Sequence, residues 1–340
     1  MNSLKSLQFR RFLRQFFFLL GLAFFVYLVI KLKPLVLLEY LKTVGWNFLW
    51  ILAVSSVWIV AYSLAWEIFL KNLSKRVNLW DIFKIKTSGE AINTITPLGW
   101  GGGDPARILM LKDHIPVNEG TASVVVDRTL NNLAIALFML IGVLVTFIRF
   151  TLPPVLKVGL PVTLFIIVGV SAFLYYRSHE GLFLFFLDLL KKLRIKKEFS
   201  EKTLKNVQEI DGHISRFYKM NRKGFAMAFT LHFIGRLCGV AEIYLAARFL
   251  GHPFSMIDSY LLASMTVIIN MIFVFVPGAL GVMEGAFAGI FALLHLDPAV
   301  GTSIQIVRRT RMLFWTAIGF VFMAQMKSPE TDKPNPAPAP

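Results

Sequence analysis

Pro97-Leu-Gly-Trp-Gly-Gly-Gly-Asp-Pro-Ala-Arg107 places four glycines, two prolines, a carboxylate and a guanidinium inside a chain otherwise built of long apolar runs. It recurs 180 residues later as Pro277-Gly-Ala-Leu-Gly-Val-Met-Glu284, with Pro97 over Pro277, Gly101 over Gly281 and Asp104 over Glu284. The downstream residues match once one residue is inserted: Gly120-Thr-Ala-Ser-Val-Val-Val-Asp-Arg-Thr129 against Gly301-Thr-Ser-Ile-Gln-Ile-Val-Arg-Arg-Thr310, which sets Arg128 over Arg309. A helix-breaking loop followed by an arginine in an apolar helix, found twice in one register, indicates an internal repeat.

Around these loops 56% of the 340 residues are hydrophobic, 32 of them Phe, which is too apolar for a soluble domain of this length and marks an integral membrane protein. The net charge of +16 comes from lysines and arginines clustered between apolar runs. That pattern fits membrane topology and anionic lipid surfaces, and no nucleic-acid partner is expected. The single cysteine, Cys238, excludes a disulfide framework and a thiolate metal cluster. The six histidines lack ligand spacing, so neither a metal nor another cofactor is expected.

Taken in order, a basic lead with Arg10, Arg11 and Arg14 precedes a first span at about 12–32, with no small-residue cleavage site after it. Residues 34–44 are too few to recross and are expected in the interface. A second span covers about 46–70. Residues 80–96, carrying Lys84, Lys86 and Glu90, then form one short helix, and a second begins near Asp104-Pro105, with Asp104 as its N-cap. Neither half crosses the core alone, so the pair reads as re-entrant, its unwound loop buried in protein or lining a wet cavity. Spans at about 119–148 and 152–176 follow, then the basic amphipathic segment 177–223, a span at 224–250, a second half-helix pair around the Pro277 loop, and a last span at about 300–326. Residues 327–340 read as a disordered tail.

Lysines and arginines then lie on one side, which puts both termini and the 177–223 segment in the cytoplasm of a plasma (inner) membrane. The expected fold is an all-α polytopic membrane protein, one transmembrane domain over 1–326, with an inverted-topology repeat (about 46–149 and 224–326) and two re-entrant helical hairpins. That is the architecture of alternating-access transporters.

Ionisable groups inside spans cost about 2.5–3.5 kcal/mol each on insertion scales and mark sites unless they neutralise one another. Arg308, Arg309 and Arg311 have no acidic neighbour in sequence, which leaves room for an anionic ligand. Broken helices expose N–H groups beside glycines, and guanidinium forks suit phosphate. The expected substrate-binding set is Gly99, Gly101, Gly103, Asp104, Arg107, Asp127, Arg128, Gly278, Gly281, Glu284, Arg308 and Arg309. No nucleophile with its base, P-loop or dinucleotide loop is present, so the chain does not read as an enzyme.

At these residues the chain resembles the transmembrane domain family of lysylphosphatidylglycerol synthases, the flippase part of the multiple peptide resistance factor, and its stand-alone membrane relatives. The resemblance rests on Pro97 to Arg107, Asp127-Arg128, Pro277 to Glu284 and Arg309, over roughly residues 15–325, and departs from the family pattern at Leu98-Gly99-Trp100 and one extra glycine. No soluble aminoacyltransferase domain follows, so the resemblance implies lipid translocation rather than lipid aminoacylation. The expected function is flippase-like movement of an anionic or phosphate-bearing lipid between leaflets, with membrane lipids as partners and room for a homo-oligomer. The alternatives are a membrane enzyme or enzyme partner acting on a polyprenyl-phosphate or glycolipid, and an anion or small-solute transporter.

Overall fold

A computed structural model describes residues 26–27, 30–31, 34–96, 100–149, 154–195, 198–252, 254–293 and 296–326. Most of the expected first span, the loop residues Pro97, Leu98 and Gly99, and the tail from Lys327 lie outside the described residues. All regular structure among the described residues is helical, and four helical stretches are long and apolar enough to cross a membrane. The chain is an all-α polytopic membrane protein.

The elements are α1 (Pro34–Val44), a turn at Gly45–Asn47, α2 (Phe48–Leu70), α3 (Leu79–Ile95), α4 (Trp100–Leu111), α5 (Val117–Arg149), α6 (Pro154–Glu180), α7 (Leu182–Lys192), α8 (Glu201–Met220), α9 (Arg222–Phe249), α10 (Met256–Ile272), α11 (Val282–Leu293) and α12 (Pro298–Gln325). Several starts carry the polar caps that orphan N–H groups need. The Asn78 side chain accepts from Trp80 N, Ser255 and Asp258 form a capping box, and Asp297 caps α12 with Pro298 in its first turn. Apolar composition makes four stretches span-like, but α12, although 28 residues long, carries three arginines and is not one of them.

Both short pairs fold back as antiparallel hairpins with arms of 17 and 12 residues. At about 1.5 Å per residue the arms reach roughly 26 and 18 Å, short of the about 30 Å hydrocarbon layer. In the first hairpin, a Cβ on Gly103 would run into the Gly89 carbonyl, and a Cβ on Gly89 would lie 2.5 Å from Arg107 Cγ. Only glycine at both places lets α3 and α4 close this tightly. One expectation fails here: Asp104 is not an N-cap, because α4 already runs from Trp100 through the glycines. The Gly103 amide instead finds its acceptor across the hairpin, on Asn93 Oδ1 at 2.8 Å.

Helices α2 and α9 pack along each other and run antiparallel. Ile51 clusters with Val240, Ile243, Ala246 and Ala247, the Tyr62 ring lies 4.8 Å from His232, and Ala65, Ile68 and Phe69 cluster with Ala228. Every neighbour relation in α2–α5 has its counterpart in α9–α12: α3 packs on α12 as α10 packs on α5, and α2 touches α5 as α9 touches α12. The two sets of four helices thus exchange partners with one another. The hairpins open at opposite ends of the α2–α9 pair. Leu70, Val77, Ile82, Leu111 and Ile115 gather at one end; Val44, Ile51, Ala247, Phe291 and Val300 gather at the other. Their tips approach, and a Cβ on Gly278 would sit 3.4 Å from the Thr94 carbonyl.

The segment between the halves joins the first of these ends, since Ile210, Ile214 and Phe217 of α8 pack with Phe69, Ala122 and Ala228. The end of α12 does too, through Met326. The basic stretches at Lys71–Lys84, Lys112 and 177–223 therefore share one end. In a Cys238→Ser background, single cysteines replacing Asp113 and Asp297, exposed at the mouths of the two hairpins, should react with an impermeant maleimide from opposite sides of the membrane. Labelling of both from one side would contradict the placement.

Candidate functional site

The densest buried polar cluster lies where α3, α4, α5 and α9 meet, and Asp127 is its centre. This carboxylate, 4% exposed, accepts from Lys86 Nζ at 2.8 Å on both oxygens and from Arg107 Nη1 at 2.9 Å, and His232 Nε2 lies 3.2 Å from its Oδ1. Arg107, 1% exposed, also reaches Asp104, whose two oxygens take a bidentate pair from Arg128 at 2.8 and 2.6 Å. Two carboxylates thus hold three cations in one chain of charge-assisted hydrogen bonds, the arrangement that makes buried charge tolerable. Aromatic faces add to it: Lys86 Nζ is 5.5 Å from the Tyr62 and Trp66 rings, and the Arg107 guanidinium 5.2 Å from Trp66.

Beside this chain lies a cavity of about 80 Å³ whose walls include Lys86, Arg107, Arg128 and Arg236 against two carboxylates, Glu90 and Asp127. Arg236 is the cation left over. It donates to the neutral Asn131 amide at 2.8 Å and stands 5.8 Å from the Tyr62 ring, with no carboxylate partner among the described residues, and its Nε is buried without a hydrogen bond. Gly235 brings it there, because a Cβ at that position would collide with the Tyr62 ring. At this volume the cavity admits a few waters but no headgroup, since ligand pockets span about 300–1,000 Å³; the arrangement is a closed one.

The second half carries the corresponding pair. Arg309, 4% exposed, donates from Nε to Glu284 Oε1 at 2.7 Å, from Nη2 to the Ala279 carbonyl at 2.7 Å and from Nη1 to the Gly278 carbonyl. Asp104–Arg128 and Glu284–Arg309 thus occupy repeat-equivalent positions. The tip that Arg309 fastens is unwound, with Gly278, Ala279 and Gly281 at φ values of 57°, 46° and 75°. Its carbonyls have lost their helical donors, and the guanidinium replaces them. The tip therefore offers carbonyls to an arginine, where the sequence suggested N–H groups offered to an anion.

The last helix also corrects the expected arginine excess. Glu242, 66 residues before Arg308 in sequence, accepts from Arg311 Nε at 2.9 Å and lies 3.7 Å from Arg308 Nε. With Glu284 on Arg309, all three have carboxylates supplied by other helices. Of the expected set, Arg107, Asp127 and Arg128 line the cavity with Asp104 bonded behind them, and Gly278, Glu284 and Arg309 form the second cluster; Gly281 is exposed, and Arg308 turns to Glu242. Gly103 is occupied by hairpin packing, Gly101 is exposed, and Gly99 lies outside the described residues. Lys86, Glu90, His232 and Arg236 were missing from it. Their signal is the i, i+4 spacing of Lys86 with Glu90 and of His232 with Arg236, which puts each pair on one helix face.

A family model described as "Lysylphosphatidylglycerol synthase TM region" matches residues 13–319. A "UPF0104 membrane protein" of Methanothermobacter thermautotrophicus is 22% identical over 79% of this chain and 82% of its own length. A second protein so described, from Methanocaldococcus jannaschii, is 24% identical over 79% of this chain and 81% of its own. No solved structure matches.

Removing one partner of a buried ion pair strands the others, at about 3–5 kcal/mol. Asp127→Asn leaves Lys86 and Arg107 short of charge and should lower the thermal midpoint of the purified protein. Adding Lys86→Met should recover part of the loss; equal melting of Asp127→Asn and wild type would show that the cluster carries no such coupling.

Proposed function

We propose, from the premise that this chain belongs to the lysylphosphatidylglycerol synthase transmembrane-region family, that it moves an anionic or phosphate-bearing lipid headgroup between leaflets. The observation that carries the reading is the cation-rich cavity inside the bundle, beside hairpins that open at opposite ends. A site reachable from either side in turn needs that geometry, which inverted repeats supply. Both hairpins are then re-entrant, with arms too short to cross and tips meeting near the midplane. The end bearing Lys71–Lys84 and the 177–223 segment faces the cytoplasm of the inner membrane by its excess of lysine and arginine.

In the closed arrangement Asp104 occupies Arg128 and Arg107, and Glu284 occupies Arg309. A headgroup phosphate entering as a hairpin parts would take the place of a carboxylate on Arg128 and find Arg236 already without one. Guanidinium forks hold phosphate bidentately, so they recognise the headgroup while the acyl chains stay in the bilayer. The reading assigns the protein transport and no chemical step on the lipid.

Arg236 is the cleanest test, because its removal strands no carboxylate. In liposomes carrying fluorescent phosphatidylglycerol, Arg236→Gln should slow leaflet transfer about tenfold or more, the loss of one charge-assisted hydrogen bond of at least about 1.4 kcal/mol. Arg128→Ala should abolish it. Wild-type transfer in both variants, each folded, would reject the assignment.

A further inference from the structure

A second cavity, of about 520 Å³, shares no residue with the first and lies between α6, α8 and the first turn of α9, where the segment joining the halves meets the second one. Its walls are Tyr175, His179, Tyr218, Lys219, Arg222 and Phe225. The rings form a connected floor, with Tyr175 5.5 Å and His179 5.0 Å from Tyr218, and Tyr175 5.8 Å from Phe225. Lys219 and Arg222 form the exposed rim.

No carboxylate lines this space. The two acidic groups closest in sequence to its walls are committed elsewhere: Glu180 accepts from Arg177 at 2.7 Å, and Asp211 caps α7 by accepting from the Phe183 and Leu184 amides at 3.0 Å each. Neither Lys219 nor Arg222 is in an ion pair with a described residue. Two unneutralised cations beside an imidazole call for an anion, and the aromatic floor calls for apolar matter next to it.

Position decides what kind of molecule brings both. The span α6 ends at Glu180 and the span α9 begins at Arg222, so the cavity sits at the level where a bilayer passes from acyl chain to headgroup, on the basic end of the molecule. Helix α7, beside it, is amphipathic, with Phe183, Phe185 and Phe186 along it and Lys191 and Lys192 at its end, as in helices that lie in that layer. We propose that this cavity binds the phosphate of an anionic lipid, with Lys219 and Arg222 on the phosphate oxygens and Tyr175 and Phe225 against the glycerol and upper acyl chain. It is a holding site at the interface, and the claim stands whether or not the interior cavity transports.

The test is binding and not transfer. Full-length protein in dodecyl maltoside is titrated with dioleoyl phosphatidic acid, and retained lipid is counted by native mass spectrometry. Lys219→Gln/Arg222→Gln should weaken retention at least about tenfold, and Lys202→Gln/Lys205→Gln, exposed on α8 away from the cavity, should not. Dioleoyl phosphatidylcholine, whose own cation neutralises its phosphate, should be held more weakly. Inorganic phosphate should compete only at great excess if the chains contribute; displacement at equal concentration would make free phosphate the ligand of the same cations. On the wild-type protein, a diazirine-bearing phosphatidic acid should label cavity residues. Unchanged retention in the cavity variant, equal loss in both double variants, or labelling elsewhere overturns the proposal.

Discussion

Charge and unwound backbone survive inside a membrane only when each finds a partner within the protein, and this chain meets that constraint twice with the same device. In each half an arginine on the long helix after the hairpin grips a carboxylate on the hairpin's second arm: Arg128 on Asp104, Arg309 on Glu284. An isolated guanidinium at that depth would cost several kcal/mol. The pair therefore fixes each hairpin against its helix, and any movement of the hairpin must first exchange that partner for another anion or for water. The contact that stabilises this arrangement is thus also the one that holds the hairpin in place.

Small residues make such pairs reachable. Apolar side chains gain little by leaving lipid for one another, so helices in a membrane rely on close fit. Gly89 and Gly103 zip the first hairpin, Gly235 admits the Tyr62 ring, and Gly319 lies where a Cβ would come within 2.6 Å of the Ala91 Cβ. These are the joints between the two halves as well as within them, since Gly319 is on α12 and Ala91 on α3. The glycines thus serve backbone approach first, and the functional groups are positioned by the packing they permit.

Repetition was legible in the sequence because a loop, a carboxylate and an arginine recur in the same order after 180 residues with one residue inserted, and hairpin arms of 17 and 12 residues occur in both halves. Charge balance was not legible. Glu242 neutralises Arg311 from another helix, 69 residues away in sequence, and no local pattern announces such a contact. Lys86 was legible only in part: its charge marked the stretch as a short helix, which it is, but nothing local showed that folding turns it toward Asp127. The glycine run likewise looked like a break, yet it carries the first turn of α4 because a helix packed this closely needs residues without side chains more than it needs good helix formers.

The two halves share a scaffold but not a chemistry. By the repeat register Arg107 corresponds to Phe287 and Asp127 to Arg308. Both members of the first pair of positions are buried, at 1% and 0% exposure. In the first half the contact between them is an ion pair, Arg107 with Asp127 at 2.9 Å; in the second it is Arg308 placed 5.8 Å from the Phe287 ring. The ring adds a cation–π contact, and the carboxylate partner of Arg308 comes instead from Glu242 on α9, at 3.7 Å. The two hairpins open at opposite ends, while the difference at two positions leaves the Arg107–Asp127 pair, and the cavity beside it, to the first half. One scaffold thus carries its buried charge in two ways, since Arg107 and Phe287 are buried alike and what differs is the partner of the cation.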